Sequence, residues 1–153
     1  LAFDDGGDLR IRDPRRLGGV GLDPDESRLG IDALAIDAPA LATALGTSAA
    51  PLKARLLDQS RVAGIGNLLA DEILYRAGLD PARPAGGLSD AEVDVLARSI
   101  VSVTGELMAR GGSHTGDVRA AAATDNLCPL DGTPLARRQV GGRTTISCPA
   151  HQR

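Results

Sequence analysis

The chain has 153 residues, of which 42% are hydrophobic and 24% charged, with a formal net charge of −3. This is the make-up of folded globular material and excludes a disordered tail. No apolar run approaches the roughly 18–20 residues that a membrane helix requires, and no charged-then-apolar signal segment opens the chain. Aromatic residues are only 1%, Phe3 and Tyr75 with no Trp. The core therefore falls to Leu, Val, Ile and Ala, and aromatic platforms for single-stranded bases are disfavoured.

Charge is unevenly spread. Residues 1–50 carry 9 acids and 5 bases, and residues 89–125 carry 6 and 3. Residues 51–88 carry 4 acids and 5 bases, and residues 126–153 carry 1 and 4. A polyanionic partner is expected at these two positive segments. Of the 17 basic residues all but Lys53 are Arg, whose planar fork suits phosphate and carboxylate.

In chain order, Asp4-Asp5-Gly6-Gly7 is turn chemistry, and Leu9 and Ile11 alternate with Arg10 and Arg12. Together they predict a hairpin at the start of the chain. A lone hairpin is marginal in water, and nothing else before Ala50 reads as a strong strand. The expectation is that this chain is the tail of a longer protein. The stretch to Pro39 is a connector rich in Asp, Pro and Gly, followed by an Ala-rich helix over residues 37–45. Thr47 or Ser48 is placed to cap a further helix with Pro51 in its first turn.

Gly64-Ile65-Gly66-Asn67 is a tight turn opening a helix, with Asn67 as N-cap, Asp71 and Glu72 suited to the dipole, and Gly78 as terminator. Ser89 and Glu92 form a capping box before Val93, Leu96, Ile100, Val103 and Leu107, spaced 3, 4, 3, 4. That helix ends at Gly111-Gly112, and residues 113–127 read as loop with one Ala-rich turn. Residues 135–140 and 143–147 are short strands around Gly141-Gly142.

Three constellations are candidates for chemistry, the third being the arginines of the hairpin. Cys128-x2-Asp131 and Cys148-x2-His151 stand 16 residues apart, so the hairpin brings two turns together. Thiolate, carboxylate and imidazole are all zinc ligands, and four of them close a tetrahedral structural site. A metal staple would hold a module with almost no core of its own. The residues alone also allow a Cys128–Cys148 disulfide, or a metal-free module in which Asp131 is a turn residue. The second constellation is the Gly64–Asn67 turn, whose free N–H groups suit a phosphate. Arg143 at the hairpin tip, with Arg137 and Arg138 behind it, suits a groove or phosphates but equally a solvated turn. His114 is an isolated loop residue.

Taken together these residues resemble the formamidopyrimidine-DNA glycosylase / endonuclease VIII (Fpg/Nei) family of base-excision repair enzymes. Residues 9–18 look like the last strands of the family's N-terminal β-sandwich. Leu57-Asp58-Gln59 through Val62-Ala63-Gly64-Ile65-Gly66-Asn67 and Ala70-Asp71-Glu72 resemble its helix–two-turn–helix (H2TH) signature. Residues 128–151 are similar to its zinc-finger hairpin. The short segment after Gly111-Gly112-Ser113 suggests an actinobacterial-like endonuclease VIII variant.

The resemblance implies a mainly α fold with a small β-hairpin zinc finger. It divides the chain into the end of a β-sandwich (1–22), a linker (23–36), an H2TH DNA-binding domain (37–125) and the finger (126–153). It implies one structural Zn2+ on Cys128, Asp131, Cys148 and His151, where the family usually has four cysteines. Asn67 and Gly66, with Arg143 and Gly142, would hold phosphates of duplex DNA carrying a damaged base or abasic site. The protein would be a monomeric DNA glycosylase/AP lyase of the bacterial cytoplasm, associated with the nucleoid. The family's catalytic N-terminal proline and following glutamate are matched by neither Leu1 nor Ala2, so no catalytic residue is assigned and the chain alone is expected to be inactive. The alternative is a stand-alone, non-enzymatic, zinc-dependent DNA-binding module.

Overall fold

The computed structural model describes residues 2–14 and 19–153. Leu1 and residues 15–18 lie outside the described residues, and with them part of the stretch expected to end a β-sandwich. The hairpin expected at the start is reduced to a single antiparallel bridge, Ala2 to Asp8, closed by the Phe3 N–H donating to the Gly7 carbonyl at 2.8 Å. Leu9 and Ile11 form no strand. They and Phe3 stay about half exposed. With so much of these side chains left in water, the burial that would hold a hairpin is small.

The body begins at β1 (Ile31–Asp32), which pairs in parallel with β2 (Val62–Ala63). This two-residue ladder was not expected, because neither segment shows strand periodicity. Its register sets Ile31 opposite Val62 and Asp32 opposite Ala63, so the connector is anchored beside the Gly64–Asn67 turn. Helix α1 (Ala38–Leu45) starts at Asp37, whose Oδ1 accepts the Ala40 N–H at 2.8 Å. Helix α2 (Leu52–Leu56) has Pro51 as its N-cap, not Thr47 or Ser48. Ser48 Oγ accepts the Ala50 N–H instead, at 3.2 Å, and shapes the approach to the helix.

Helix α3 (Asn67–Ala77) stops at Gly78, which takes the left-handed conformation at φ 69°. Helix α4 (Asp90–Ala109) has the expected capping box and buries Val93, Leu96, Ile100, Val103 and Leu107. It packs along α3 and α1. Leu41, Leu52, Leu56, Ile73, Leu74, Leu96 and Ile100 lose all solvent contact there. Each such side chain contributes roughly 1.5–3 kcal/mol of burial free energy, so this apolar interior carries the body.

Residues 113–127 are more ordered than a loop. They contain a short 3-10 turn and helix α5 (Asp117–Thr124), which buries Val118. The periodicity was hidden because its inward residues beside Val118 are Ala121 and Ala122, in a run of four alanines. Strands β3 (Ala136–Val140) and β4 (Arg143–Ser147) form the hairpin, with Arg137 opposite Ile146 and Gln139 opposite Thr144. Gly141 and Gly142 both have positive φ, 56° and 74°, as a two-residue turn between twisted strands requires. A second, smaller apolar cluster joins this hairpin to the body through Tyr75, Val118, Cys128, Leu135, Ile146 and Cys148. No described helix is long and apolar enough to cross a membrane.

Candidate metal centre and nucleic-acid interface

Asp131 stands in the turn before β3, and Cys148 and His151 in the turn after β4, so the hairpin closes four side chains on one point. One ligand atom from each of Cys128, Asp131, Cys148 and His151 lies within 4.8 Å of all the others. The individual separations are 3.4 Å for Cys148 Sγ to Asp131 Oδ2, 3.3 Å for His151 Nδ1 to Asp131 Oδ2 and 3.6 Å for Cys128 Sγ to His151 Nδ1. A tetrahedral zinc ion with ordinary bond lengths demands edges of about 3.4–3.6 Å for these same pairs. The donor set fits that ion. Both thiols are free, which removes the disulfide reading.

The surroundings orient the donors as metal ligands need to be oriented. His151 Nε2 lies 3.2 Å from the Tyr75 carbonyl, which accepts its proton and turns Nδ1 toward the other three groups. The Thr133 N–H donates to Asp131 Oδ1 at 2.8 Å and holds that carboxyl well below its usual range, as a carboxylate. Burial pushes the Cys148 thiol up, which a metal's charge would reverse. The edge of the Tyr75 ring meets the His151 ring at a centroid distance of 4.8 Å.

The second constellation is placed by α3. Asn67 is not the N-cap; Gly66 is, with extended backbone, and Asn67 is the first helical residue. The reason lies across the molecule. The Asn67 Nδ2 donates to the carbonyl of Thr144 at 3.1 Å, so the side chain reaches the hairpin and not its own helix. Its Oδ1 is buried without a partner among the described residues. The preceding turn is tied by Gln59, which accepts the Gly64 N–H at 2.9 Å and donates to the Ile65 carbonyl at 3.0 Å. A side chain at Gly66 or at Gly142 would meet nothing within 4 Å, so both glycines leave open surface for a close backbone approach. Because Thr144 follows Arg143, the Asn67 bond brings the hairpin tip to the N-terminus of α3. The two features come together.

Sequence reasoning missed what holds them together. Lys53 on α2 has no solvent exposure. Its Nζ donates to Asp71 Oδ1 at 2.7 Å, to Thr145 Oγ1 at 2.8 Å and to the Thr144 carbonyl at 3.0 Å. Asp71 Oδ2 in turn accepts the Ile146 N–H at 3.3 Å. The outer edge of β4 is thus paired with side chains from α2 and α3 in place of a third strand. Asp71 and Glu72 therefore do not serve the helix dipole. Burial pushes the Lys53 ammonium down and the Asp71 carboxyl up, and their mutual bond opposes both. Glu72 accepts from Arg76 at 2.9 Å and from the Val118 N–H at 3.0 Å. That approach requires Gly116, where a Cβ would lie 2.7 Å from Glu72 Oε2. The available signals were one lysine among sixteen arginines and two adjoining acids in an apolar helix face.

A helical body presenting a glycine turn at a helix N-terminus, with a four-ligand hairpin docked against it, is the arrangement of an H2TH-type domain. The profile described as the formamidopyrimidine-DNA glycosylase H2TH domain matches residues 21–118. The chain is 37% identical to formamidopyrimidine-DNA glycosylase of Laribacter hongkongensis, covering 99% of this chain and 64% of that protein. It is 38% identical to the Thermus thermophilus enzyme of the same name, over 97% of this chain and 65% of that protein. The crystal structure of the MutM (Fpg) protein from Thermus thermophilus superposes with a TM-score of 0.76 at 37% identity, covering 92% of this chain and 62% of that one. The Lactococcus lactis Fpg in complex with DNA containing an abasic site gives 0.72 at 26% identity, covering 82% and 52%. The chain belongs to the formamidopyrimidine-DNA glycosylase family and spans about 64% of the length of the curated relatives it matches.

Proposed function

We propose that this chain is the DNA-holding portion of a base-excision repair DNA glycosylase/AP lyase that acts on oxidised bases in duplex DNA. The observation that carries the reading is the Asn67–Thr144 bond, which joins the N-terminus of α3 to the tip bearing Arg143. Gly66, the first-turn N–H groups of α3 and the remaining Asn67 amide hydrogen hold one phosphate. Arg143, with open backbone at Gly142 beside it, holds another. Two grips set on rigid elements favour a kinked duplex, and a damaged or abasic site lowers the cost of that kink.

Cys128, Asp131, Cys148 and His151 hold Zn2+, which fixes the two turns of the hairpin and so the direction of Arg143. The nucleophile of the excision step is assigned to no residue of this chain. The divisions at residues 22, 36 and 125 separate a β-sandwich end, linker, H2TH domain and finger. On this reading the protein works on DNA at the bacterial nucleoid.

The test is fluorescence anisotropy of the chain with a duplex carrying a stable abasic-site analogue, against the same duplex undamaged. Tighter binding to the abasic duplex is expected, and Arg143→Ala should weaken it by about 1–3 kcal/mol and lower the salt slope by about one. Equal affinity for both duplexes, or an Arg143→Ala variant indistinguishable from the parent, contradicts the reading.

A further inference from the structure

The interior of this chain is built from Leu, Ile, Val and Ala, with one aromatic exception. Tyr75 on α3 is 2% exposed, whereas Phe3, the other aromatic residue, lies at the surface. The Tyr75 ring packs in the small cluster with Val118, Cys128, Leu135, Ile146 and Cys148, a task that Phe performs equally well. The hydroxyl therefore needs a reason of its own. A buried phenol requires a hydrogen-bond partner, and this one lies 3.5 Å from Cys128 Sγ.

The same residue touches the other turn of the finger. The Tyr75 carbonyl is 3.2 Å from His151 Nε2, and the ring meets the imidazole edge-on. Cys128 stands before β3 and His151 after β4, so Tyr75 reaches one ligand of each turn. Charge gives the hydroxyl bond its direction. Holding a divalent ion requires both thiols to be deprotonated, and with the Asp131 carboxylate they set three negative charges against two positive ones. Cys128 is 3% exposed, so water relieves its sulfur little. A thiolate has no proton to give, so in the loaded site the Tyr75 hydroxyl donates to the sulfur.

We propose that Tyr75 is the positioning residue of the metal centre: its hydroxyl donates to the Cys128 thiolate and its carbonyl accepts from His151. One residue of α3 thereby sets a ligand in each turn of the finger and moderates the charge on one sulfur. The proposal rests on the zinc reading above. Asn67 opens the same helix eight residues earlier, about 12 Å along its axis. Helix α3 thus carries the metal centre's orienting contacts at one end and the phosphate turn at the other.

The test compares the 153-residue chain with Y75F, which keeps the ring and the carbonyl and removes only the hydroxyl. Co2+ is the spectroscopic probe, because the filled d shell of Zn2+ is silent. The thiolate-to-cobalt charge-transfer band should move to longer wavelength in Y75F, since a hydrogen bond lowers the energy of the sulfur electrons. Zinc affinity, measured against a competing chelator, should fall about tenfold, the low end for losing an outer contact to a metal ligand. In the zinc-loaded protein iodoacetamide should alkylate Cys128 several-fold faster, with Cys148 unchanged by peptide mapping. The band is read on folded, loaded protein, so a lower melting temperature in Y75F leaves that reading intact. An unmoved band with parental zinc affinity overturns the role of the hydroxyl. Equal acceleration at both cysteines overturns it too, because that is a loosened finger and not one sulfur deprived of its donor. A parent chain that takes up neither Co2+ nor Zn2+ overturns the zinc reading, and this inference with it.

Discussion

The helical body and the hairpin finger are stabilised by opposite means. In the body, Leu41, Leu52, Ile73, Leu96 and Ile100 are wholly buried and the polar groups serve mainly as caps and surface pairs. In the finger, strand β3 has three exposed residues in succession, and the apolar cluster beneath is small. What fixes the finger is polar: the four convergent ligand atoms at one end, and Lys53, Asp71 and Asn67 on the edge of β4. The body can therefore be read as apolar periodicity. The finger's position, and with it Arg143, depends on a few directional bonds that one substitution removes. The candidate site lies where the two regimes meet.

Four results would sharpen or break this contrast. The largest effect is expected from metal removal, since structural zinc in small fingers contributes on the order of 10 kcal/mol. A chelator should expose the segment 128–151 to protease while the helical circular dichroism largely persists; joint loss of both would show one cooperative unit. Next, Lys53→Ala leaves Asp71 buried without its cation and should cost about 3–5 kcal/mol in denaturant unfolding. The paired change K53M/D71L should recover most of it, and a Lys53→Ala loss under 1 kcal/mol would remove the buried pair from the docking scheme.

Leu96→Ala opens a cavity in the body and should cost about 2–5 kcal/mol, with one metal still bound per folded chain. A change in metal stoichiometry there would deny the separation. The smallest effect is pH. Arg83, at 2.5 Å, holds the Glu92 carboxyl down to about 2 from its ordinary 4.5. Because the folded-state value is depressed, its contribution is fully present above pH 4.5 and is lost as pH falls toward 2. The Glu92 side chain is about a third exposed, so solvent screening limits this to about 1 kcal/mol. Thermal melts of Glu92→Gln should show a flatter acid limb, and an unchanged limb would contradict the assignment.

Much of this was legible in the sequence, and the failures share a cause. Helices α1, α3 and α4 follow from Asp37, Gly78 and the Ser89–Glu92 box because caps and periodicity act within a few residues. The hairpin strands follow from Gly141-Gly142 for the same reason. The β1–β2 ladder joins residues thirty-one apart with two pairs, and no local pattern encodes it. Helix α5 hid behind its alanines, which mark no face. At the site, the ligand set was visible as spacing, whereas Asn67 was misplaced as a cap because Thr144, its partner, is 77 residues away. Lys53 was noticed only as an oddity of composition, since its three partners come from α3 and β4.

The measurement that bears most directly on the union of body and finger is the affinity for the abasic duplex with and without the metal, in one titration series. Stripping the metal should abolish the preference for the abasic over the undamaged duplex, and added zinc should restore it while the helical signal stays constant throughout. An abasic preference that survives in a protein shown to be metal-free would mean that Arg143 needs no staple, and would contradict the placement of the finger as the second grip.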